Sequence, residues 1–416
     1  MTTVRKSILE NEIRVVTKFI PHAKTIAMGF WINVGARDEH TNQHGLSHFV
    51  EHMVFKGTNT RNAYEIAKAL DAIGGQANAM TTQEYSCFYA RFYHTHLDKI
   101  TDILCDMLLS SSFKVSDIDR ERQVIFQEIR MFEDDPEDYI NYLLGKAYWG
   151  EHPVSRSILG TRENIESFNA NMIRSYYKER YSPQNIVIAL AGKVNHDAIV
   201  HRLERVLGGM TRTKYYPISK KKPQAGAQKI IKYRDLEQVH ICLGGKGCDI
   251  ESPERYALTL LNIILGGNMS SLLFQEVREK YGLAYHVFSS LTMYTDSGMQ
   301  SIYMAVEPSK VNDALKVVYE TLDCLIEKQL SQTIIREAKE YTKAIMQLAQ
   351  ESVNNQMVRL GQSELMYNRY VSVEEIIENI DKITPADIQE LAKNVLNIDQ
   401  MAMAFLGPVE EIDTES

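Results

Sequence analysis

The order of strand-like and helical segments in the first part of this chain recurs in the second, and this repeat constrains the fold most strongly. Between the parts, residues 213–228 combine prolines, a glycine and a lysine triplet without apolar periodicity, which is typical of a linker. With 416 residues the chain is also too long for one ordinary core. The sequence therefore predicts two domains of similar fold, residues 1–212 and 229–416, joined by the linker 213–228.

Both parts contain apolar or alternating runs typical of strands and segments with helical spacing. The segments in chain order are 25–34 (strand), 44–56 (helix), 76–93 (strands), then 238–247 (strand), 254–265 and 269–280 (helices) and 284–305 (strands). Strands and helices do not alternate strictly, which favours an α+β fold over a doubly wound one. We expect two homologous domains, each a mainly antiparallel sheet packed with helices.

Composition narrows the class of protein and the compartment. The formal net charge of -8 argues against a nucleic-acid binder, which is usually basic. Five cysteines without a CxxC pair indicate a reducing compartment rather than a disulfide framework. The N-terminus shows no targeting pattern, and no apolar run reaches the length of a membrane span. We expect a cytoplasmic protein without a membrane span.

The segment HFVEH contains the most specific chemical signal. His48 and His52 are four residues apart on a predicted helix, so both imidazoles can reach one ion, and Glu51 adjoins the same face. Zinc hydrolases need neutral nitrogen ligands, an open position for water and a nearby carboxylate base. His44, one turn earlier, is a rival ligand, although the frayed start of a helix holds a ligand poorly.

A third protein ligand is expected from the predicted helix 117–134. Glu121 and Glu128 are two turns apart along one side of that helix, beside an apolar stripe. The stripe consists of Val124, Ile125, Ile129 and Phe132. A glutamate among apolar side chains needs a cation or a hydrogen-bond partner. Spacing alone does not choose between the two glutamates.

The extended segment HGLSHFVEHMVFKGT, residues 44–58, resembles the zinc helix of the pitrilysin-type, or inverzincin, metallopeptidases. It is most similar to the branch with the β-subunit of mitochondrial processing peptidase and its bacterial relatives, and the resemblance spans essentially the whole chain. The resemblance implies that Glu128 joins His48 and His52 in holding one Zn²⁺ per chain. It also implies that Glu51 is the general base and that Glu121 is a supporting carboxylate that orients a ligand or tunes the metal.

Two further segments resemble this family. Residues 76–91 are similar to an edge strand on which a substrate peptide lies, and Asn78 and Ala79 carry that match; without the family, Asn78 would equally be a turn residue. GGNMSSLLFQEVREKYGLAY, residues 266–285, resembles a stretch whose Arg/Tyr pair, here Arg278 and Tyr285, reaches the bound peptide and its developing oxyanion. Leu272 replaces the arginine usual in the family.

The resemblance implies a zinc endopeptidase that cleaves short unfolded peptides or presequence-like segments inside a clamshell chamber. Chains of this length in the family usually pair, so we expect a homodimer or a heterodimer with a related chain. An acidic run at 133–138 is a candidate for binding a substrate arginine, or a solvated loop. The alternatives are a non-catalytic scaffold, a peptide-binding subunit of a larger complex, and another divalent metal in the same site.

Overall fold

The computed structural model describes residues 3–213 and 221–412, which form two compact units. Within the described residues, the first unit contains 3–130, 157–213 and 348–371, and the second contains 131–156, 221–347 and 372–412. Of the predicted linker 213–228, residues 214–220 lie outside the described part of the chain. Among the described residues, no helix combines the length and the apolar character needed to cross a bilayer.

Each unit is built on one mixed sheet. The strands are β1 (Thr3–Ile8), β2 (Arg14–Phe19), β3 (Thr25–Ile32), β4 (Gln76–Thr81), β5 (Ser86–Tyr93), β6 (Ile186–Gly192), β7 (Lys229–Tyr233), β8 (Val239–Lys246), β9 (Ala284–Met293), β10 (Gly298–Val306) and β11 (Ala402–Gly407). The first sheet has the order β1-β2-β6-β3-β5-β4 and the second β7-β11-β8-β10-β9. Neighbouring strands are antiparallel except for the parallel pairs β2/β6 and β7/β11.

The two sheets share one topology. When β1 is set aside, β2-β6-β3-β5-β4 and β7-β11-β8-β10-β9 follow the same path, with the single parallel pair in the same place. In both sheets the third strand along the chain, β4 or β9, lies at the edge. The prediction of an α+β fold with two mainly antiparallel sheets is therefore confirmed, and the shared topology agrees with a duplication.

The helices of the described residues include the four whose bounds were predicted, and two of these begin later than expected. The α-helices are α1 (Leu46–Val54), α2 (Ala63–Asp71), α3 (Leu97–Ser110), α4 (Val115–Asp134), α5 (Pro136–Trp149), α6 (Arg162–Ser167), α7 (Ala170–Arg180), α8 (His196–Leu207), α9 (Arg255–Gly266), α10 (Val311–Glu327), α11 (Gln332–Ala349), α12 (Val353–Tyr367), α13 (Val373–Lys382) and α14 (Pro385–Val395). The zinc-motif helix begins only at Leu46 because Gly45 has a φ of 97°. The helix predicted from 269 begins later, since Asn268 Oδ1 accepts from the Ser270 amide, and it has π geometry over Phe274–Lys280.

In the first unit, one face of the sheet packs on helices that include α1, α3 and α4. The other face is covered by α12, whose Met357 and Leu360 pack on Trp31 and neighbouring apolar residues of the sheet. Gly361 permits a very close approach, because a Cβ there would lie 2.2 Å from Trp31 Cε2. A helix from late in the chain thus completes the first unit.

The second unit has the reciprocal arrangement. Helix α5, from the first part of the chain, packs on β11 and β8, where Leu144 and Tyr148 belong to one apolar cluster with Cys242 and Leu406. Each compact unit therefore includes one covering helix from the other side of the predicted linker.

Candidate metal centre

Helix α1 presents the motif side chains from a firmly anchored position. Phe49, Val50 and Met53 are buried in the core of the first unit. At the N-terminus of the helix, the Glu39 carboxylate accepts hydrogen bonds from the amides of Gly45, at 2.7 Å, and Ser47, at 2.5 Å. Burial raises the pKa of Glu39 to about 8 despite these two bonds. The helix is therefore held at its apolar face and at its N-terminus.

His48, His52 and Glu128 converge in the first unit. Glu128 Oε2 lies 3.6 Å from His48 Nε2 and 3.4 Å from His52 Nε2, and one ligand atom from each residue lies within 4.8 Å of the others. Two ligands in a tetrahedral zinc site, with bonds near 2.0–2.1 Å, are about 3.3 Å apart. The nitrogen–oxygen separations match the edges of such a site, and the donor set of two imidazoles and a carboxylate suits zinc.

His48 has the protonation state that a metal ligand needs. Burial and, to a smaller extent, the neighbouring His52 together lower the pKa of His48 to about 3. The imidazole is therefore neutral near pH 7, the form that binds a metal. Its other ring nitrogen, Nδ1, is buried and makes no hydrogen bond to any residue that the structure describes.

Glu121 contacts the ring nitrogen of His52 that does not face Glu128. Its Oε2 is 3.1 Å from His52 Nδ1, and its Oε1 is 2.7 Å from Lys56 Nζ. A carboxylate at Nδ1 favours the tautomer that donates from Nδ1 and leaves Nε2 as the ligand atom. Lys56, which the sequence analysis did not single out, holds the carboxylate from the other side; it lies one turn beyond His52 in the sequence.

The structure distinguishes between the candidate metal ligands that spacing alone did not separate. Glu128 belongs to the three-residue group, whereas Glu121 contacts the far nitrogen of His52. His44 Nε2 lies 2.6 Å from the Ser157 carbonyl oxygen, and His44 is outside the group.

The predicted apolar stripe of α4 was partly wrong. Val124 is 39% exposed, while Ile118, Ile125 and Phe126 are buried. Because Glu121 itself faces inward, the buried side of the helix runs through 118, 121 and 125 and is rotated away from Val124. Of the remaining stripe residues, Ile129 packs on the first core, while Phe132 contacts Tyr139 and Tyr142 in the second unit.

Glu51 lies beside this group and is hydrogen-bonded to the edge strand. The Thr81 hydroxyl, at the end of β4, donates to Glu51 Oε2. Burial raises the pKa of Glu51, and the bond from Thr81 opposes that shift. Thr81 was not predicted as a site residue from the sequence, although in an alternating strand it shares the side of Ala79, two residues earlier.

Asn78 and Ala79 lie on β4, which is the edge strand of the first sheet and pairs with β5. The Asn78 side chain is exposed, and its Oδ1 accepts a hydrogen bond of 2.8 Å from the Ala79 amide. The strand prediction for this segment is confirmed.

Arg278 and Tyr285 lie together in the second unit, at the π-helix and at the start of β9. The Arg278 guanidinium carbon is 4.6 Å from the centre of the Tyr285 ring, a cation–π distance. Tyr285 is 78% exposed, so it is not a core residue. Both residues line a cavity of about 390 Å³ together with Gln238, Glu307 and Lys310.

Known proteins resemble the chain over nearly its whole length. The uncharacterized zinc protease YmxG of Bacillus subtilis is 36% identical over 405 residues, which cover 97% of this chain and 98% of that protein. Residues 14–162 match the insulinase family, peptidase family M16, and residues 167–341 match the peptidase M16 inactive domain. The chain belongs to the M16 peptidase family. The predicted pitrilysin-type peptidase class is thereby confirmed.

Further relatives also match this M16 peptidase over nearly its whole length. An uncharacterized zinc protease of Streptomyces coelicolor is 36% identical over 419 residues, covering 98% of this chain and 90% of that protein. The crystal structure of a protease from Helicobacter pylori has the same fold, with a TM-score of 0.92, 21% identity and coverage of 98% of this chain and 100% of that one. The residues that match the inactive domain, 167–341, contain no HxxEH motif.

Proposed function

We propose that this M16 peptidase is a zinc endopeptidase that cleaves short unfolded peptides or presequence-like segments. The convergence of His48, His52 and Glu128, with Glu51 beside them, carries the proposal. The Bacillus and Streptomyces relatives, which are named zinc proteases, support it.

In this proposal His48, His52 and Glu128 hold one Zn²⁺ per chain, and Glu121 keeps His52 in the ligating tautomer. Zinc, when bound, supplies a Lewis acid that acidifies a water molecule and polarises a carbonyl. The same donor set also suits other first-row divalent ions, so metal analysis belongs to the test.

Glu51 is the proposed general base. Its carboxylate takes a proton from the attacking water as the oxygen adds to the scissile carbonyl, then delivers that proton to the leaving nitrogen as the C–N bond breaks. Arg278 and Tyr285 are proposed to hold the carbonyl oxygen as it gains negative charge. The exposed Tyr285 ring, stacked with Arg278, supports a role in contacting a ligand.

The edge strand β4 is the proposed peptide site, with Asn78 and Ala79 in contact with the substrate. An extended peptide added to a sheet edge is held mainly through backbone hydrogen bonds, which favours unfolded chains of varied sequence. The Ala79 amide, now bonded to the Asn78 side chain, is a donor that a peptide carbonyl could engage instead. Other expectations stay predictions: enclosure in a chamber, pairing of two chains, a cytoplasmic location, and a close relation to the processing peptidase β-subunit.

The acidic run at 133–138 spans the end of α4 and the start of α5 and makes contacts within the second unit. Asp135 Oδ1 accepts from the amides of Glu137 and Asp138 at the start of α5, and Glu137 Oε2 lies 3.4 Å from His286 Nδ1. These contacts favour a role in helix capping, so we do not propose a substrate-arginine site there.

The test compares wild-type protein, chelator-treated protein and Glu51→Gln by metal analysis and by hydrolysis of a quenched fluorescent peptide. We expect one zinc per wild-type chain, loss of activity with chelator, and zinc retained in Glu51→Gln with kcat lowered about 10²–10⁴-fold. Wild-type activity in Glu51→Gln would refute the assigned base. A metal-free, inactive wild type would instead support the scaffold alternative.

A further inference from the structure

The hydrogen bond between Thr81 and Glu51 joins two parts of the proposed active site. Glu51 is on α1, in the motif that carries the two histidines, and Thr81 is the last residue of the edge strand β4. The residues are 30 apart in sequence, so only the packing of α1 beside β4 brings them together.

The alternation of β4 explains why Thr81 faces the helix. Ala77 and Ala79 pack against the core that contains α1, whereas Met80 packs against the cluster on the opposite face of the sheet. Because side chains alternate along a strand, Thr81 points to the same side as Ala79. Its hydroxyl then meets the Glu51 carboxylate and donates to Oε2.

We propose that Thr81 is a positioning residue that fixes the rotamer of the Glu51 carboxylate and ties it to the edge strand. The inference rests on the proposed function, since it assumes that Glu51 is the base and β4 the peptide site. Glutamate has several rotatable bonds, and an unrestrained carboxylate samples many orientations. With Oε2 held by Thr81, the second oxygen keeps one direction, and proton transfer is sensitive to such placement.

The location of Thr81 also couples the base to the substrate. A peptide that adds to β4 contacts the strand at Asn78 and Ala79, two to three residues before Thr81. Ordering of the strand by the peptide then orders the hydroxyl that holds Glu51. The hydroxyl is therefore needed more for turnover than for binding of the peptide.

The experiment compares Thr81→Val, Thr81→Ser and Thr81→Ala with Thr101→Val. Val keeps the size and β-branching of Thr and removes the hydroxyl, while Ser retains it. Thr101 is a fully buried threonine of α3 whose hydroxyl donates to the Leu97 carbonyl, so its replacement removes a hydroxyl away from Glu51. The measurements are kcat and KM for a quenched fluorescent peptide, zinc content, and the Kd of that peptide for Glu51→Gln with and without Thr81→Val.

We expect Thr81→Val to lower kcat about 10–100-fold, with KM, zinc content and the Kd in the Glu51→Gln background changed less than about twofold. Thr81→Ser should recover most of kcat, and Thr101→Val should keep it. If Thr81→Val does not fold, as shown by circular dichroism, Thr81→Ala provides the same comparison.

Three outcomes would overturn the inference: wild-type kcat in Thr81→Val, equal losses in Thr81→Ser and Thr81→Val, or a loss that appears mainly in the peptide Kd. The last would show that the bond only fastens β4 to α1. Failure of the proposed function is distinguishable, because Glu51→Gln would then be as active as the wild type.

Discussion

Glu121 and Glu128 are chemically identical residues on one side of α4, and their different surroundings support the different roles proposed for them. Glu128 is the more exposed side chain, at 36%, and one of its oxygens faces both histidines. Glu121 is 7% exposed and lies between Lys56 and His52 Nδ1. A buried carboxylate between a cation and an imidazole N–H is well stabilised and orients the ring.

We predict that Glu121→Ala weakens zinc binding without removing a ligand. Loss of the carboxylate frees the His52 ring to rotate and change tautomer, and such partners typically contribute about 10–100-fold in metal affinity. Competition with a chromophoric chelator measures the change. Asp119→Ala is the control, because Asp119 lies on the same helix and pairs only with the nearby Arg122 among the contacts described. Unchanged zinc affinity in Glu121→Ala would contradict an orienting role.

Helices α5 and α12 occupy equivalent places in the two units. Each covers one face of a sheet, and each contains a glycine, Gly145 or Gly361, in its sequence. The two glycines differ in their surroundings. A Cβ at Gly361 would lie 2.2 Å from Trp31, whereas the nearest atom to a Cβ at Gly145 is Trp149 Cε3 at 3.9 Å, an ordinary contact.

We predict opposite effects of alanine at these two positions. Gly361→Ala forces α12 and Trp31 apart and should lower the free energy of unfolding by about 1–3 kcal/mol, as overpacking generally does. Gly145→Ala adds a methyl group without a clash and should be neutral or stabilise by up to about 1 kcal/mol. Urea unfolding monitored by tryptophan fluorescence makes the comparison, since Trp31 is buried in the first unit and Trp149 in the second. Equal stabilities of the two variants would show that the Gly361 contact relaxes freely.

Helix α5 from the first part of the chain completes the second unit, and α12 from the second part completes the first. Neither part of the chain therefore builds a unit alone. In the first unit, Glu364 of α12 is almost fully buried and lies 2.7 Å from Lys6 Nζ of β1 and 3.3 Å from Arg14 Nη1 of β2. This ion cluster adds to the apolar contacts of Met357 and Leu360 with the sheet. Loss of both cations would leave the buried Glu364 carboxylate uncompensated, which is strongly destabilising, so the helix is held to the sheet by charge and by packing.

We predict that a chain cut in the exposed segment near Gln224 stays assembled. With a specific protease site inserted after Gln224, cleavage gives two pieces, and each unit still contains elements from both. The pieces should elute together from a size-exclusion column in native buffer and separate in concentrated urea. The uncut insertion variant controls for the added residues. Separation in native buffer would contradict the exchanged packing of α5 and α12.

Features that depend on local spacing could be predicted from the sequence. His48 and His52 are four positions apart, so any helix there puts both on one side, and the alternation at 76–93 predicts strand structure in that segment. The repeated order of segments likewise predicted two related sheets, because periodicity and chain order are properties of neighbouring residues.

Which distant residues meet depends on how the helices and strands pack against one another. Spacing did not distinguish Glu121 from Glu128, and their different contacts with His52 follow from how α4 is rotated against α1. The partner of Glu51 was not predicted because Thr81 reaches it from another element. The exchange of α5 and α12 could not be predicted from the sequence either, because an apolar helix face shows that the helix is covered but not which sheet covers it. Long-range packing, which joins residues by complementary surfaces rather than by spacing, settled these points.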